Sequence, residues 1–374
     1  MPPRQSGSLP VWLELLVLAG MIGLATKLNS LIYPGPTGDE DLSHPQKSAH
    51  AIQQARARQP DRGRQAKSPA GIPAAGWLDI LWRVYHRTVE DRLLMIAAGV
   101  VFYLLLALFP AITAFVSSYG LLADPLTISE NLSSLSAVMP QAGVGLVEEQ
   151  VRRLNETSQS ALSFGFLFGL AFAFWSANAG MLAIIDALNV AYGEREKRSY
   201  LQLYSLSFAL TLGAMLLLLA ALSTVVIFPL VLGSLGLQAS DLSTTVTILR
   251  WPALIVLSLL WLAFLYRVAP SRREAKWRWI SIGSVFAILA WMGVSGLYSW
   301  YLSHIANYAA TYGSLGAAIG LMMWLWLSVI VMLVGAEVNA EIEHQTACDT
   351  TVGEEKPLGA RGAVMADTVG RRWI

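Results

Sequence analysis

Long runs without a charged side chain constrain this chain more than any other feature. No Asp, Glu, Lys or Arg falls between Arg92 and Asp124, Glu156 and Asp186, Arg198 and Asp241, Arg250 and Arg267, or Arg278 and Glu337. A bilayer core about 30 Å thick takes about 20 apolar helical residues, because lipid offers the backbone no outside hydrogen-bond partner. Each of the first four runs holds one such helix. The fifth holds two, divided by the polar connector HIANYAATYG at 304–313. The expectation is an all-α integral membrane protein, a bundle of six transmembrane helices near 93–119, 160–188, 201–233, 249–268, 280–303 and 314–338. With 55% hydrophobic and 14% charged residues among 374, most of the length is membrane span rather than soluble domain.

Basic residues give the orientation, since short loops rich in Lys and Arg stay in the cytoplasm. Arg83, Arg87 and Arg92 precede the first span, Arg195, Lys197 and Arg198 follow the second, and Arg272, Arg273, Lys276 and Arg278 follow the fourth. The opposite loops carry only Arg152, Arg153 and Arg250. Both ends of the bundle are therefore expected inside. The formal net charge of +1 predicts no acidic partner, and the single cysteine, Cys348, excludes an internal disulfide and any CxxC metal site.

Four flanking segments follow from composition. Residues 1–33 contain LPVWLELLVLAGMIGLATKL, whose Glu14 and Lys27 leave three readings open: a seventh span, a signal-anchor or an interfacial helix. Residues 34–75 are rich in Pro, Gly, Gln and Arg and are expected to be a disordered basic tether that adheres weakly to an anionic inner leaflet. Residues 77–91 place Trp77, Ile80, Leu81, Val84 and Tyr85 near one helix face with Arg83 and Arg87 elsewhere, which predicts an amphipathic helix on the inner surface. Residues 120–159 leave the membrane, and Leu146, Val147, Val151 and Leu154 have the spacing of short helices in an outer cap. The domain division is 1–33, 34–75, a membrane domain at 76–344 and a cytoplasmic tail at 345–374.

Polar residues within or at the ends of spans are where function would show, because an intramembrane charge costs about 2.5–3.5 kcal/mol. Asn178 and Asn189 are eleven residues apart and share a helix face, with Asp186 beside that stripe. By the topology above, Asp186, Asn189, Arg267, Glu337 and Asn339 all lie near inner helix ends. Together with Asn178 they form the candidate polar network. Arg267 is the expected partner of Glu337. Three readings of Glu337 remain open: snorkelling to water, a register-fixing ion pair, or a substrate or proton site. Pro110 is expected to kink the first span, and GFLFG at 165–169, SANAG at 176–180 and GAAIG at 316–320 are expected at close helix contacts.

Four stretches resemble the YihY/BrkB family of bacterial inner-membrane proteins, once assigned as ribonuclease BN. They are AAGVVFYLLLALFP at 97–110, WSANAGMLAIIDALNVAYG at 175–193, LYRVAP followed by WRW, and YGSLGAAIGLMMWLWLSVIVMLVGAEVNAE at 312–341. Ala107 stands where the family commonly has serine. The resemblance covers about 77–344 and implies a six-helix, multi-pass protein of the bacterial inner membrane. It further implies a transport or lipid-translocation role, with serum resistance attached to one branch; a non-catalytic membrane scaffold is the alternative. Ribonuclease chemistry is not expected, because His44, His50, His86, His304 and His344 are scattered and no metal-ligand cluster, P-loop, GxSxG or HExxH occurs. No cofactor, metal, catalytic residue or nucleic-acid surface is expected; the expected partners are membrane lipids.

Overall fold

The computed structural model describes residues 52–122, 159–222, 224, 241–304 and 316–373. The expectations for residues 9–33, for the outer cap at 123–158 and for most of the 304–313 connector lie outside them. Seven long helices carry the described chain: α1 Ala74–Glu90, α2 Leu93–Leu122, α3 Gln159–Ala191, α4 Tyr200–Leu222, α5 Asp241–Val268, α6 Trp277–His304 and α7 Gly316–Gln345, followed by the single turn α8 Val364–Asp367. Among the described residues there is no strand, only an isolated bridge between Ala275 and Thr351.

Among the described residues five helices are long and apolar enough to cross a membrane, over Leu167–Ala191, Tyr200–Ala221, Leu249–Val268, Trp277–His304 and Ala318–Gln345. The pair α1 and α2, bent by 60° at Asp91–Arg92, makes a sixth when taken together. Arg92 sits at the bend with φ 51°, a left-handed conformation that ends one helix and lets the next start in a new direction. The chain is thus an all-helical membrane protein.

Helix α2 packs along α3, α6 along α7, and α7 against α2; α4 flanks α3 and α5 flanks α6. The shared core includes Leu93, Ala97, Ile185, Leu188, Leu333 and Ala336, all nearly or fully buried. The outward faces remain apolar. Leu212, Leu216 and Leu219 of α4, Val256 and Leu260 of α5, and Leu289 and Leu297 of α6 are exposed, a leucine-rich surface suited to acyl chains.

Small residues set the closest approach. A Cβ built on Gly283 of α6 would lie 2.2 Å from the carbonyl oxygen of Gly335 on α7, and one on Gly335 would lie 2.7 Å from the Ala287 Cβ. These helices touch backbone to backbone. Of the expected small-residue positions, Gly180 lies near Leu104 of α2, and Gly320 accepts a hydrogen bond from the Tyr298 hydroxyl at 2.8 Å. The Gly283–Gly335 contact is the tighter one.

The flanking segments correct one expectation. From residue 52 onward the tether is packed, with Arg64, Ala66 and Ile72 buried. Arg64 donates from Nη1 to the Gln345 carbonyl at 3.1 Å and from Nη2 to the Gly370 carbonyl at 2.8 Å, so it caps the end of α7. The tail beyond 345 is folded as well. Arg361 donates to the carbonyls of Ala347, Cys348, Lys356 and Ala366, and the Trp373 N–H reaches Asp79 at 2.9 Å. Guanidinium-to-carbonyl bonds supplement a small apolar cluster that includes Ala66, Ile72 and Ile80, which is why the composition of 34–75 suggested disorder. Residues 52–90, the loops after α3 and α5, and 346–373 form a polar cap on one end of the bundle.

In α1 the faces also differ from expectation. Asp79, Ile80, Arg83 and Val84 are buried against the protein, and the outward stripe is Leu78, Leu81, Tyr85 and Val89. Ile80 and Val84 leave the expected apolar face because Arg83 between them is drawn inward.

Gly283→Ala is expected to destabilise the protein by about 1–3 kcal/mol through overpacking. Its thermal midpoint in detergent should fall clearly below that of Gly99→Ala, where an added Cβ meets nothing within 4 Å.

Candidate functional site

Helix α7 does not stop where its apolar run ends. It carries Glu337, Asn339, Glu341, Glu343 and Gln345 into the cap, and every residue from Gly335 to Glu343 is buried. Steps of four place Glu337, Glu341 and Gln345 on one face and Asn339 and Glu343 on another. Two sets of partners receive them.

The first face meets α1. Arg83 Nε donates to Glu341 Oε2, Arg83 Nη2 reaches Gln345 Oε1 at 2.7 Å, and Nη1 reaches the Arg371 carbonyl at 2.8 Å. Arg87 Nε lies 3.6 Å from Glu341, and His344 Nδ1 lies 3.3 Å from it. The second face meets α6 and the loop after α5. Asn339 Oδ1 accepts the Gly283 N–H at 2.7 Å, and Glu343 takes a two-pronged bond from Arg272 at 2.7 and 3.1 Å. Thr350 adds a third donor to Glu343 at 2.9 Å, and the Arg272 guanidinium lies 4.1 Å from the Tyr192 ring centroid. Neither Arg272 nor Glu343 exposes its side chain. Two-pronged geometry and a third donor are what a buried ion pair needs to offset desolvation.

The six expected network residues separate into local groups. Asn178 accepts from Ser207 at 2.8 Å and Thr211 at 3.5 Å on α4, about 16 Å along α3 from Asn189. Asn189 accepts the Ser271 N–H at 2.7 Å and donates to Glu196 at 3.0 Å, tying together the loops after α3 and α5. Asp186 is exposed and has no hydrogen bond or ion pair among the described residues. Arg267 does not pair with Glu337. It binds Glu274 at 2.7 Å and lies over the Trp277 ring at 4.5 Å. The reason is helical phase: Tyr266 points its hydroxyl to the Met332 carbonyl of α7 at 2.5 Å, so Arg267, about 100° further round, faces elsewhere. Glu337 is fully buried, and neither of its oxygens has a hydrogen-bond donor among the described residues. Two hollows stand out among the described residues, an apolar groove on α5 from Leu249 to Leu260 and a polar one at 59–71. Neither is lined by Asn178, Asp186 or Glu337.

Sequence reasoning missed Arg83, Arg87, Arg272, Glu341 and Glu343. Their signal was present in the four-residue spacing of Arg83 with Arg87 and of the α7 acids, but it was assigned to topology and helix ends.

Outside the spans, two cap carboxyls are held below their ordinary values. Burial opposes the charge of Asp349, yet the Lys356 and Thr351 N–H groups, the Thr351 hydroxyl and Arg361 outweigh it. Burial likewise opposes the charge of Glu196, and the Arg198 N–H, Asn189, Ser271 and the Arg198 charge overcome it.

An all-helical membrane bundle with an arginine-knit polar cap is the class defined by this fold and site. The sequence profile of the family described as Virulence factor BrkB matches residues 84–358, and the chain belongs to that family. A Bacillus subtilis (strain 168) protein named ribonuclease-like protein YfkH is 35% identical over 249 residues, covering 65% of this chain and 88% of its own. A UPF0761 membrane protein of Idiomarina loihiensis is 28% identical over 223 residues, 58% of this chain and 74% of its own. Another, of Methylibium petroleiphilum, is 27% identical over 268 residues, 71% of this chain and 62% of its own. No solved structure matches.

Two outcomes test the site. Arg272→Ala leaves Glu343 buried without its partner and is expected to cost about 3–5 kcal/mol, whereas Arg272→Met with Glu343→Leu recovers most of that loss in detergent unfolding curves. Because the folded values of Asp349 and Glu196 lie below 3.8 and 4.5, their stabilisation is full above those values and is lost as pH falls through the lower folded ones. Asp349→Asn should therefore show a smaller drop in thermal midpoint on acidification than the parent.

Proposed function

We propose that this is a multi-pass protein of the bacterial inner membrane, with its arginine-rich cap in the cytoplasm, that handles a lipid-type substrate entering sideways from the bilayer. The orientation rests on Arg83, Arg87, Arg198, Arg272 and Arg273 all lying at the cap end of the helices. The single observation that carries the substrate class is the relation of α4 to α5. They touch where the Trp261 ring meets Gly213, and around that contact both turn leucines outward, beside an apolar groove that includes Pro252 and Val256. An acyl chain fits such a surface, and a hydrated ion does not.

A non-transporting scaffold is the second reading, favoured by the ion-paired rigidity of the cap. We read the chain as non-catalytic. That reading rests on the sequence, whose five histidines are scattered and which contains no P-loop, GxSxG or HExxH.

The deciding measurement is transbilayer movement of a fluorescent phospholipid in proteoliposomes, read by dithionite quenching. Lipid handling predicts faster loss of inner-leaflet signal than in protein-free vesicles. Identical rates would leave the scaffold.

A further inference from the structure

We propose that Glu337 and Asp91 hold one exchangeable proton between them, forming a buried proton-binding site at the hinge that joins α1 to α2. The site stands whether or not the protein moves lipid.

Charge counting gives the first argument. Around Glu337, α1 supplies two guanidiniums, Arg83 and Arg87, against three carboxyls: Asp91 at the hinge, and Glu337 and Glu341 on α7. Arg83 is committed to Glu341, Gln345 and the Arg371 carbonyl. Arg87 lies 3.7 Å from Asp91 and 3.6 Å from Glu341. His344 faces Glu341 at 3.3 Å. Glu337 is the acid left over. From the end of α3 it is approached by Tyr192, which brings no positive charge.

The second argument is geometric. Glu337 is fully buried, and no protein donor reaches either of its oxygens, nor Asp91 Oδ2. Arg87 lies 3.7 Å from Asp91 and 3.6 Å from Glu341, one helical turn beyond Glu337 on the same face of α7, and the two unsatisfied carboxyls make their contact there. Ionised carboxylates only accept, so this contact becomes a bond when one of them carries a proton. No third metal-binding side chain joins the pair among the described residues, which fits a proton better than a divalent ion.

Placement gives the site a consequence. Asp91 closes α1, with its N–H on the Arg87 carbonyl at 2.8 Å, and the next residue carries the left-handed turn of the 60° bend. Loss of the shared proton sets two negative charges against each other across the hinge and so opposes the 60° bend.

The test is labelling of the full-length protein in nanodiscs with dicyclohexylcarbodiimide, which adds to protonated carboxyls in apolar surroundings, read by peptide mass spectrometry from about pH 6 to about pH 9. An adduct on Glu337 at neutral pH that declines as pH rises is expected, and this titration needs no variant. Glu337→Gln, which mimics the protonated acid and should fold, abolishes it. Asp91→Asn removes the like charge, leaves Glu337 near Arg87 and moves the decline in labelling to lower pH, so that on the alkaline side of the titration labelling falls about tenfold, the equivalent of one pKa unit. No adduct on Glu337 at any pH, or equal labelling in Asp91→Asn, would overturn the proposal. So would protection by sodium but not by choline at constant pH, which would assign the site to a metal cation instead.

Discussion

The pairing of the α7 acids with arginines from other elements is the interaction on which the described structure depends. A helix that leaves the bilayer could expose its charges to water, but this one is surrounded on every side from Gly335 to Glu343. An unpaired carboxylate in such a position costs several kcal/mol. Arg83 from α1 and Arg272 from the loop after α5 meet that cost on two different faces of the helix. Each is far away in sequence, so the acids of α7 act as the point where the two halves of the bundle and both flanking segments are registered against one another.

Arginine plays a second part that its charge alone does not suggest. Arg64, Arg198 and Arg361 spend most of their donors on backbone carbonyls: those of Gln345 and Gly370, of Val268, Ala269 and Pro270, and of Ala347, Cys348 and Ala366. Helix ends and loops leave carbonyls without partners, and a planar guanidinium with five donors satisfies several at once. The cap is thereby built with few large apolar side chains. Basic residues counted for orientation under the positive-inside rule are, in this protein, also the structural material of the cap.

Within the bilayer the balance is different. Lipid is as apolar as leucine, so helices gain little by hiding leucines from it and associate through close packing and a few hydrogen bonds. Gly283 against Gly335, Gly213 against Trp261, and Asn178 with Ser207 are of this kind. Helices α4 and α5 keep much of their surface outward, and that freedom is what a protein working on lipids would use. An ion-paired cap joined to outward-facing apolar helices sets a rigid end beside a surface open to the membrane.

The sequence by itself determined the class, the number of long apolar helices and their order, because the cost of an unpaired backbone in lipid is paid locally and shows as runs without charge. It also marked Asn178 and Asn189 as polar groups that protein must surround, and left Glu337 open between water and a protein partner. Which partner each one meets was decided only by the tertiary structure. Tyr266 and Arg267 are adjacent, yet one faces α7 and the other turns to Glu274, a difference of one helical step that periodicity does not resolve without knowing how α5 is rotated. Asp186, three residues from the buried Asn189, faces outward for the same reason. The folded state of residues 52–75 and of the C-terminal segment was likewise invisible, since bonds from arginine to distant carbonyls depend on where the chain returns in space and leave no trace in hydrophobicity.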